Sequence, residues 1–265
     1  MPDTTHSPSA PSVAPPVALQ LYSMRDAANV DFPGVLREVA DMGYAGVELA
    51  GFHDRSPGEV AALLQELGLA VASAHASSGD REHFAAELDV FATVGCDTVV
   101  LPMLAPDQFA ALDTIRANAD HLNELGAIAR DHGMTFGYHN HFWEFTELDG
   151  KPALLHLFDA LDPQTVAEVD IYWAKVGGVD PAALVAEMGD RVRLLHVKDG
   201  PADEPRSSML AVGDGVIDVA GVLAAAPSAT WHIVELDRCD GDMADAVRRS
   251  CEYLVGNGLS TGRVA

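Results

Sequence analysis

The sequence predicts a single closed (β/α)₈ barrel, and three observations predict it. From Val17 onward, short apolar runs alternate with amphipathic segments eight times, and strands that alternate with helices pair in parallel. No break in composition interrupts the series, so residues 17–265 read as one domain. The first strand–helix turn, Ser23-Met24-Arg25-Asp26-Ala27-Ala28, lacks the glycines that cradle a pyrophosphate, which argues against an open dinucleotide-binding sheet.

In order, the first strand is Val17 to Tyr22, and a helix follows over Phe32 to Met42, with Pro33 in its first turn and Gly43 as its stop. The second strand is Tyr44 to Leu49, carrying Glu48, and Pro57 to Leu67 is helical, closed by Gly68. Leu69 to Ala74 is the third strand, ending at His75, and Arg81 to Val94 the third helix. The fourth strand, Thr98 to Leu101, stops at Pro102, and Pro106 to His132 reads as one long helix capped by Gly133. Thr135 to Phe145 starts as the fifth strand and is followed by a helix over Pro152 to Leu161. The sixth strand is Val166 to Ile171, with a helix from Pro181 to Met188 beyond Gly177-Gly178. Val192 to Val197 is the seventh strand, and the Pro- and Gly-containing stretch Lys198 to Asp218 is a long loop. Val219 to Ala226 is helical, Trp231 to Leu236 is the eighth strand, and Met243 to Val255 is the last helix.

Composition excludes several functions. A formal charge of −24, from 40 acidic and 16 basic residues with no dense Lys/Arg run, repels phosphate backbones and anionic membranes. No apolar run approaches the ~18 residues of a membrane span. Residues Met1 to Pro16, rich in Pro, Ser and Ala, lack a cationic start and an apolar core, so a disordered arm is expected rather than a secretion signal. Three cysteines, Cys96, Cys239 and Cys251, show no CxxC spacing, which fits free thiols in a cytoplasmic protein.

The chemistry gathers at strand ends. Residues two apart on a strand share a face, so His139 and His141 of Tyr-His-Asn-His point the same way, with Glu144 just beyond. Glu48, His75, Asp170, His196 and Glu235 also lie in the last part of a strand or just past it. In a barrel those ends converge on one rim, where active sites of this architecture are built. Carboxylates with imidazoles and no thiolate favour a hard or borderline divalent ion, Mn²⁺ or Mg²⁺ first, then Co²⁺, Fe²⁺ or Zn²⁺. Asp170 and Glu235 sit among apolar strand residues, where a carboxylate needs a cation or strong donors. For Asp170 an ion pair with Lys198 or Arg193 is the alternative to a metal.

Leu-Gln-Leu-Tyr-Ser-Met-Arg-Asp, Gly-Tyr-His-Asn-His-Phe-Trp-Glu-Phe, Val-Asp-Ile-Tyr-Trp-Ala, His-Val-Lys-Asp-Gly, Val-Gly-Asp-Gly and Ile-Val-Glu-Leu-Asp follow one another from Val17 to Gly256. Together they resemble the sugar phosphate isomerase/epimerase family of xylose-isomerase-like TIM barrels. The resemblance implies one divalent metal, Mn²⁺ foremost, held by a carboxylate after strand five and by Asp170, His196 and Glu235. Many relatives carry Glu where this chain has His139, so either Glu144 takes that place, the choice favoured here, or His139 itself binds. Endonuclease IV is similar in fold, but the acidic charge and the smaller ligand set argue against its activity.

A metal that bridges a carbonyl and a neighbouring hydroxyl acidifies the carbon between them, and a base removes the proton. Isomerisation or epimerisation of a ketose or keto-polyol through an enediolate is the resulting expectation, with a possible homo-oligomer as in relatives. Relatives use ligand glutamates as the acid/base pair, so the resemblance implies Glu144 and Glu235 for that role, with His141 or His139 able to take one part of it. Lys198, on the same strand face as His196, is expected to bind substrate oxygens. Trp173, with Trp143 and Phe142, offers a wall for a sugar face, and Glu48 and His75 are further substrate contacts. With a leaving group on the β-carbon, the same enediolate eliminates, so dehydration of a keto-inositol or cleavage of a 3-keto-glycoside is the second expectation. A barrel that binds sugar without turning it over is the third.

Overall fold

The structure, a computed structural model, describes residues 13–77 and 80–264. Eight strands, β1 (Val17–Gln20), β2 (Gly46–Leu49), β3 (Ala70–His75), β4 (Thr98–Leu101), β5 (Thr135–His139), β6 (Val166–Asp170), β7 (Val192–Val197) and β8 (Trp231–Val234), pair in parallel in chain order. β1 then pairs with β8, and the expected barrel closes. Outside it run α1 (Arg25–Asp41), α2 (Pro57–Leu67), α3 (Arg81–Thr93), α4 (Leu112–Asp131) and α5 (Ala153–Ala160). They are followed by α6 (Ile171–Val176), α7 (Pro181–Met188), α8 (Val219–Ala225) and α9 (Met243–Gly256). Among the described residues no helix is long and apolar enough to cross a membrane.

Local chemistry sets many of these boundaries. Ser56 and Glu59 form a reciprocal capping box at the start of α2, and Gly68 ends it in the left-handed conformation. α1 begins earlier than expected but kinks at Asp31, whose carboxylate accepts from Gly34 N at 3.0 Å. The predicted start at Phe32 and Pro33 therefore corresponds to its second segment. The expected long helix from Pro106 is two pieces. A 3₁₀ turn, Pro106–Phe109, is separated from α4 by Ala111, which is extended, and Phe109 packs against Tyr138. Here tertiary packing overrides a helical pattern. α6 was hidden in the sequence by its shortness: Asp170 ends β6 and caps α6 at once, its Oδ1 accepting from Trp173 N at 2.8 Å. A two-stranded hairpin, Glu147–Leu148 with Lys151–Pro152, is also additional to the expected elements.

The main core lies between strands and helices, and a second, small one fills the barrel itself. Ala18, Ala72, Val100, Leu194 and Ile233 form its floor, with Trp231 packed against them. Gly46 is required beneath, because a Cβ there would meet Ala70 O at 2.7 Å and the Trp231 ring at 3.0 Å. Moving up in steps of two replaces apolar by polar groups: Leu194 gives way to His196 and Lys198, and Ile233 to Glu235 and Asp237. The barrel interior is therefore dry at one end and ionisable at the other.

Of the expected arm, residues 1–12 lie outside the described residues. Residues 13–16 run beside the chain's last segment, where Thr261 N donates to Pro15 O and Val17 N to Thr261 O, both at 2.9 Å. Arg263 N donates to Gly43 O at 2.8 Å, which fastens that segment across the same end of the barrel. All three cysteines are free, Cys96 and Cys251 being buried.

Candidate active site

The ionisable end of the barrel is built in two layers. In the deeper one, Glu48 of β2, His75 of β3, Glu168 of β6 and His196 of β7 face one another. His75 Nε2 lies 3.0 Å from both Glu48 Oε1 and Glu168 Oε2, and His196 Nε2 lies 2.8 and 3.2 Å from the same two oxygens. Gln20 donates to Glu48 Oε1, and Ser73 to its other oxygen. Glu48, Glu168 and His196 are all fully buried. Burial works against charge on His75, yet Glu48 and Glu168 raise its imidazole to about 10. Burial likewise pushes Glu48 up, but His75 and His196 outweigh it and hold this carboxyl well below the usual range.

The upper layer contains Asp170, His196, Lys198, Glu235 and Asp237. Lys198 Nζ stands 2.9 Å from Asp170 Oδ2, 2.6 Å from Glu235 Oε2 and 2.7 Å from Asp237 Oδ2. Burial opposes its charge, and these three carboxylates keep it protonated. Its three donors thus face protein oxygens, which makes it a positioning group for the carboxylates. Asp170 Oδ2 is paired with that ammonium but receives no well-directed hydrogen bond. Burial raises its carboxyl to about 6 against the pull of Lys198 and His196. Burial pushes Glu235 up as well, but Lys198 and His196 hold it below the usual carboxylate range.

Two imidazoles join the layers. His196 presents Nε2 below and Nδ1 above, where Nδ1 lies 2.9 Å from Glu235 Oε2. His139 presents Nδ1 below, 3.1 Å from Glu168 Oε2, and Nε2 above, 3.9 Å from Asp170 Oδ2. His139, Asp170, His196 and Glu235 each bring one ligand atom within 4.8 Å of the others, and so do His75, His139, Glu168 and His196. Asp170, His196 and Glu235, far apart in sequence, are therefore brought together.

Glu144 is not in either cluster. Its Oε1 accepts from Tyr138 Oη at 2.9 Å and its Oε2 from His141 N at 3.0 Å, and burial raises its carboxyl to about 8. It braces the turn that carries His141 instead of facing the upper layer. His141 stacks on Trp143, centroids 4.4 Å apart, and its buried Nδ1 has no partner. Burial, then the charge on Lys198, lowers its imidazole to about 3, so it is neutral. A cavity of about 350 Å³ opens above the clusters, lined by Tyr22, Met103, His75, His139, His141 and Glu235 among others. Trp173 lies behind that lining, with Lys198 Nζ 5.3 Å from its ring centre.

Sequence reasoning missed Glu168 and Asp237. Each stands two residues from a named carboxylate on the same strand or its extension, Glu168 before Asp170 and Asp237 after Glu235. The period of two was the signal that pointed to both.

A family model described as a xylose isomerase-like TIM barrel matches residues 36–255. Over 79% of this chain and 84% of the relative, the sequence is 25% identical to an inosose dehydratase of Geobacillus kaustophilus (strain HTA426). Among solved structures, a sugar phosphate isomerase/epimerase from Parabacteroides distasonis superposes with a TM-score of 0.79 at 24% identity, covering 95% of this chain and 97% of that one. An IOLI protein with a bound zinc atom superposes with a TM-score of 0.73 at 15% identity, covering 92% and 98%. With a family match over most of its length and the same closed barrel, the chain belongs to the xylose isomerase-like TIM-barrel family.

Proposed function

We propose that this protein is a divalent-metal-dependent isomerase or epimerase of a ketose or keto-polyol that works through an enediolate. The observation that carries the reading is the convergence of Asp170, His196 and Glu235 beneath a cavity, with one ligand atom of each within reach of a shared ion. The donor set fits a divalent cation. Three carboxylates, Asp170, Glu235 and Asp237, meet one ammonium, Lys198, and the His196 imidazole, which, against burial, nearby carboxylates hold protonated. The group thus keeps a net negative charge, and a cation could take the place of the imidazole proton.

Asp170, His196 and Glu235 would hold the ion. A bound divalent ion would act as a Lewis acid on a substrate carbonyl and its neighbouring hydroxyl. Glu235 lines the cavity and is kept ionised by Lys198 and His196, which suits it to take the proton from the carbon beside the carbonyl. His141, held flat against Trp143, lines the same cavity and, once solvent has protonated it, can be the second proton-transfer group. Returning the proton to the opposite face gives the epimer, and returning it to the neighbouring carbon gives the isomer. Glu144 contributes by fixing the His141 backbone, and Lys198 by holding the carboxylates in place.

Dehydration of a keto-polyol is a second reading, favoured by the inosose dehydratase relative at 25% identity. It uses the same first proton transfer and then expels a β-hydroxyl. A panel of ketoses and keto-inositols incubated with Mn²⁺-loaded enzyme in D₂O and followed by NMR tests both. Exchange at the carbon beside the carbonyl with a new epimer or isomer supports the first reading, and exchange with an unsaturated product supports the second. A protein that binds no metal and promotes no exchange would be a sugar-binding barrel and would end both.

A further inference from the structure

The deeper layer has its own unbalanced chemistry. Two nitrogens, His75 Nε2 and His196 Nε2, each face both Glu48 Oε1 and Glu168 Oε2, giving four N···O contacts of 2.8 to 3.2 Å. An imidazole nitrogen carries at most one hydrogen. Two hydrogens can serve four contacts only as shared, weaker three-centre bonds. His139 Nδ1, at 3.1 Å, adds a third nitrogen around Glu168 Oε2, while Oε1 of the same fully buried carboxylate has no partner at all. One overloaded oxygen beside one orphan is costly for a carboxylate closed to water.

Donor atoms about 2.0–2.2 Å from a shared ion stand about 2.9–3.5 Å from one another, and these contacts run close to that range. His75, His139, Glu168 and His196 satisfy the same mutual 4.8 Å limit as the upper set. In the absence of an ion, and against burial, Glu48 and Glu168 hold His75 and His196 protonated, so a cation binding here would displace imidazolium protons.

We infer that a second divalent cation binds in the deeper layer, held by His75 Nε2, His139 Nδ1 and Glu168. His196 then serves the upper ion through Nδ1 and donates Nε2–H to Glu48 Oε1, its closest contact there at 2.8 Å. A carboxylate that orients a metal-bound imidazole in this way is a common second layer of support. Each imidazole is thereby used once as a ligand, and no bridging imidazolate is needed. With two imidazoles and one carboxylate the site suits Zn²⁺, Mn²⁺ or Fe²⁺ better than Mg²⁺. Because His75 and His139 also line the cavity, the ion lies at its floor. This inference rests on the proposed function only for the assignment of the upper ion.

The test is metal stoichiometry on the full chain. Protein stripped with a chelator and reloaded with Zn²⁺ or Mn²⁺ alone is desalted and its metal measured by mass spectrometry. Wild type is expected to hold two equivalents, Glu168→Gln and His75→Asn one each, Asp170→Asn one, and the Glu168→Gln/Asp170→Asn double variant none. One equivalent in wild type that survives Glu168→Gln but not Asp170→Asn overturns the inference and leaves the proposed function standing. One equivalent lost in Glu168→Gln but retained in Asp170→Asn supports the deeper site and removes the upper ion instead. Anomalous diffraction from metal-loaded wild-type crystals needs no variant to fold. A peak between His75, His139 and Glu168 is expected, and a peak confined to Asp170 and Glu235 refutes the deeper ion.

Discussion

His232, away from the active site, sets a measurable acid limit on the fold. It is buried on β8, its Nδ1 2.8 Å from Ser260 Oγ, and burial alone lowers its imidazole from the ordinary value of 6.5 to about 4. The folded protein keeps this ring neutral between those values, while the unfolded chain takes up a proton. Because the folded pKa is depressed, the contribution is fully present above 6.5 and is lost as pH falls toward 4. Each pKa unit corresponds to ~1.36 kcal/mol, so between pH 7.5 and 4.5 the loss amounts to about 2.5 kcal/mol. His139 and His141 titrate in the same direction, so the informative quantity is a difference between proteins. Urea unfolding of wild type and His232→Gln at both pH values isolates this share. Wild type should lose about 2.5 kcal/mol more than the variant on acidification. Equal losses in the two proteins, or a larger loss in the variant, would refute the assignment of a neutral buried ring.

Replacing Lys198 by Met removes the ammonium shared by Asp170, Glu235 and Asp237, and about 3–5 kcal/mol of stability should go with it in metal-free protein by urea unfolding. Added Mn²⁺ should restore part of that loss, and no restoration would speak against a cation among these carboxylates. Asp199 accepts from the backbone N–H groups of Gly200, Gly213, Gly215 and Ile217, at 2.8 to 3.1 Å. Asp199→Ala should therefore free the loop after β7, read as faster proteolysis within residues 200–217 and a loss of about 3 kcal/mol or more. At Gly177 a Cβ would meet Phe145 Cδ2 at 2.6 Å and Phe142 O at 2.8 Å. Gly177→Ala should cost about 1–3 kcal/mol by overpacking and, by displacing the turn that carries His141, should slow deuterium exchange into substrate.

The barrel was legible because a parallel strand with a helix on each side leaves a repeated mark, an apolar run followed by an amphipathic one. β4 and α2 fall where the sequence puts them, since Pro102, Ser56, Pro57 and Gly68 fix their ends by local chemistry. The break before α4 was not legible, because it depends on Phe109 and Tyr138, residues that meet only in the folded chain. In the candidate site, residue types at strand ends pointed to a rim where the structure gathers several of them. Sequence spacing does not tell which way a side chain turns beyond the strand. Glu144, three residues past His141, turns back to Tyr138 and a backbone amide. Glu168 escaped notice because a lone acid between Ala167 and Val169 carries no motif, and only its register with Asp170 marks it.

The seam between β1 and β8 has a consequence for how the molecule comes into being. It joins Val17 to His232, Ala18 to Ile233 and Leu19 to Val234, and residues near Thr261 are stitched over it. During synthesis the first strand must wait until the seven strands after it have been made before its partner emerges from the ribosome. Until then the nascent sheet is an open curve with two unpaired edges, which invites association with other chains. Glu235 arrives directly behind that last strand, so ring closure and completion of the reactive centre are one event in the life of the chain.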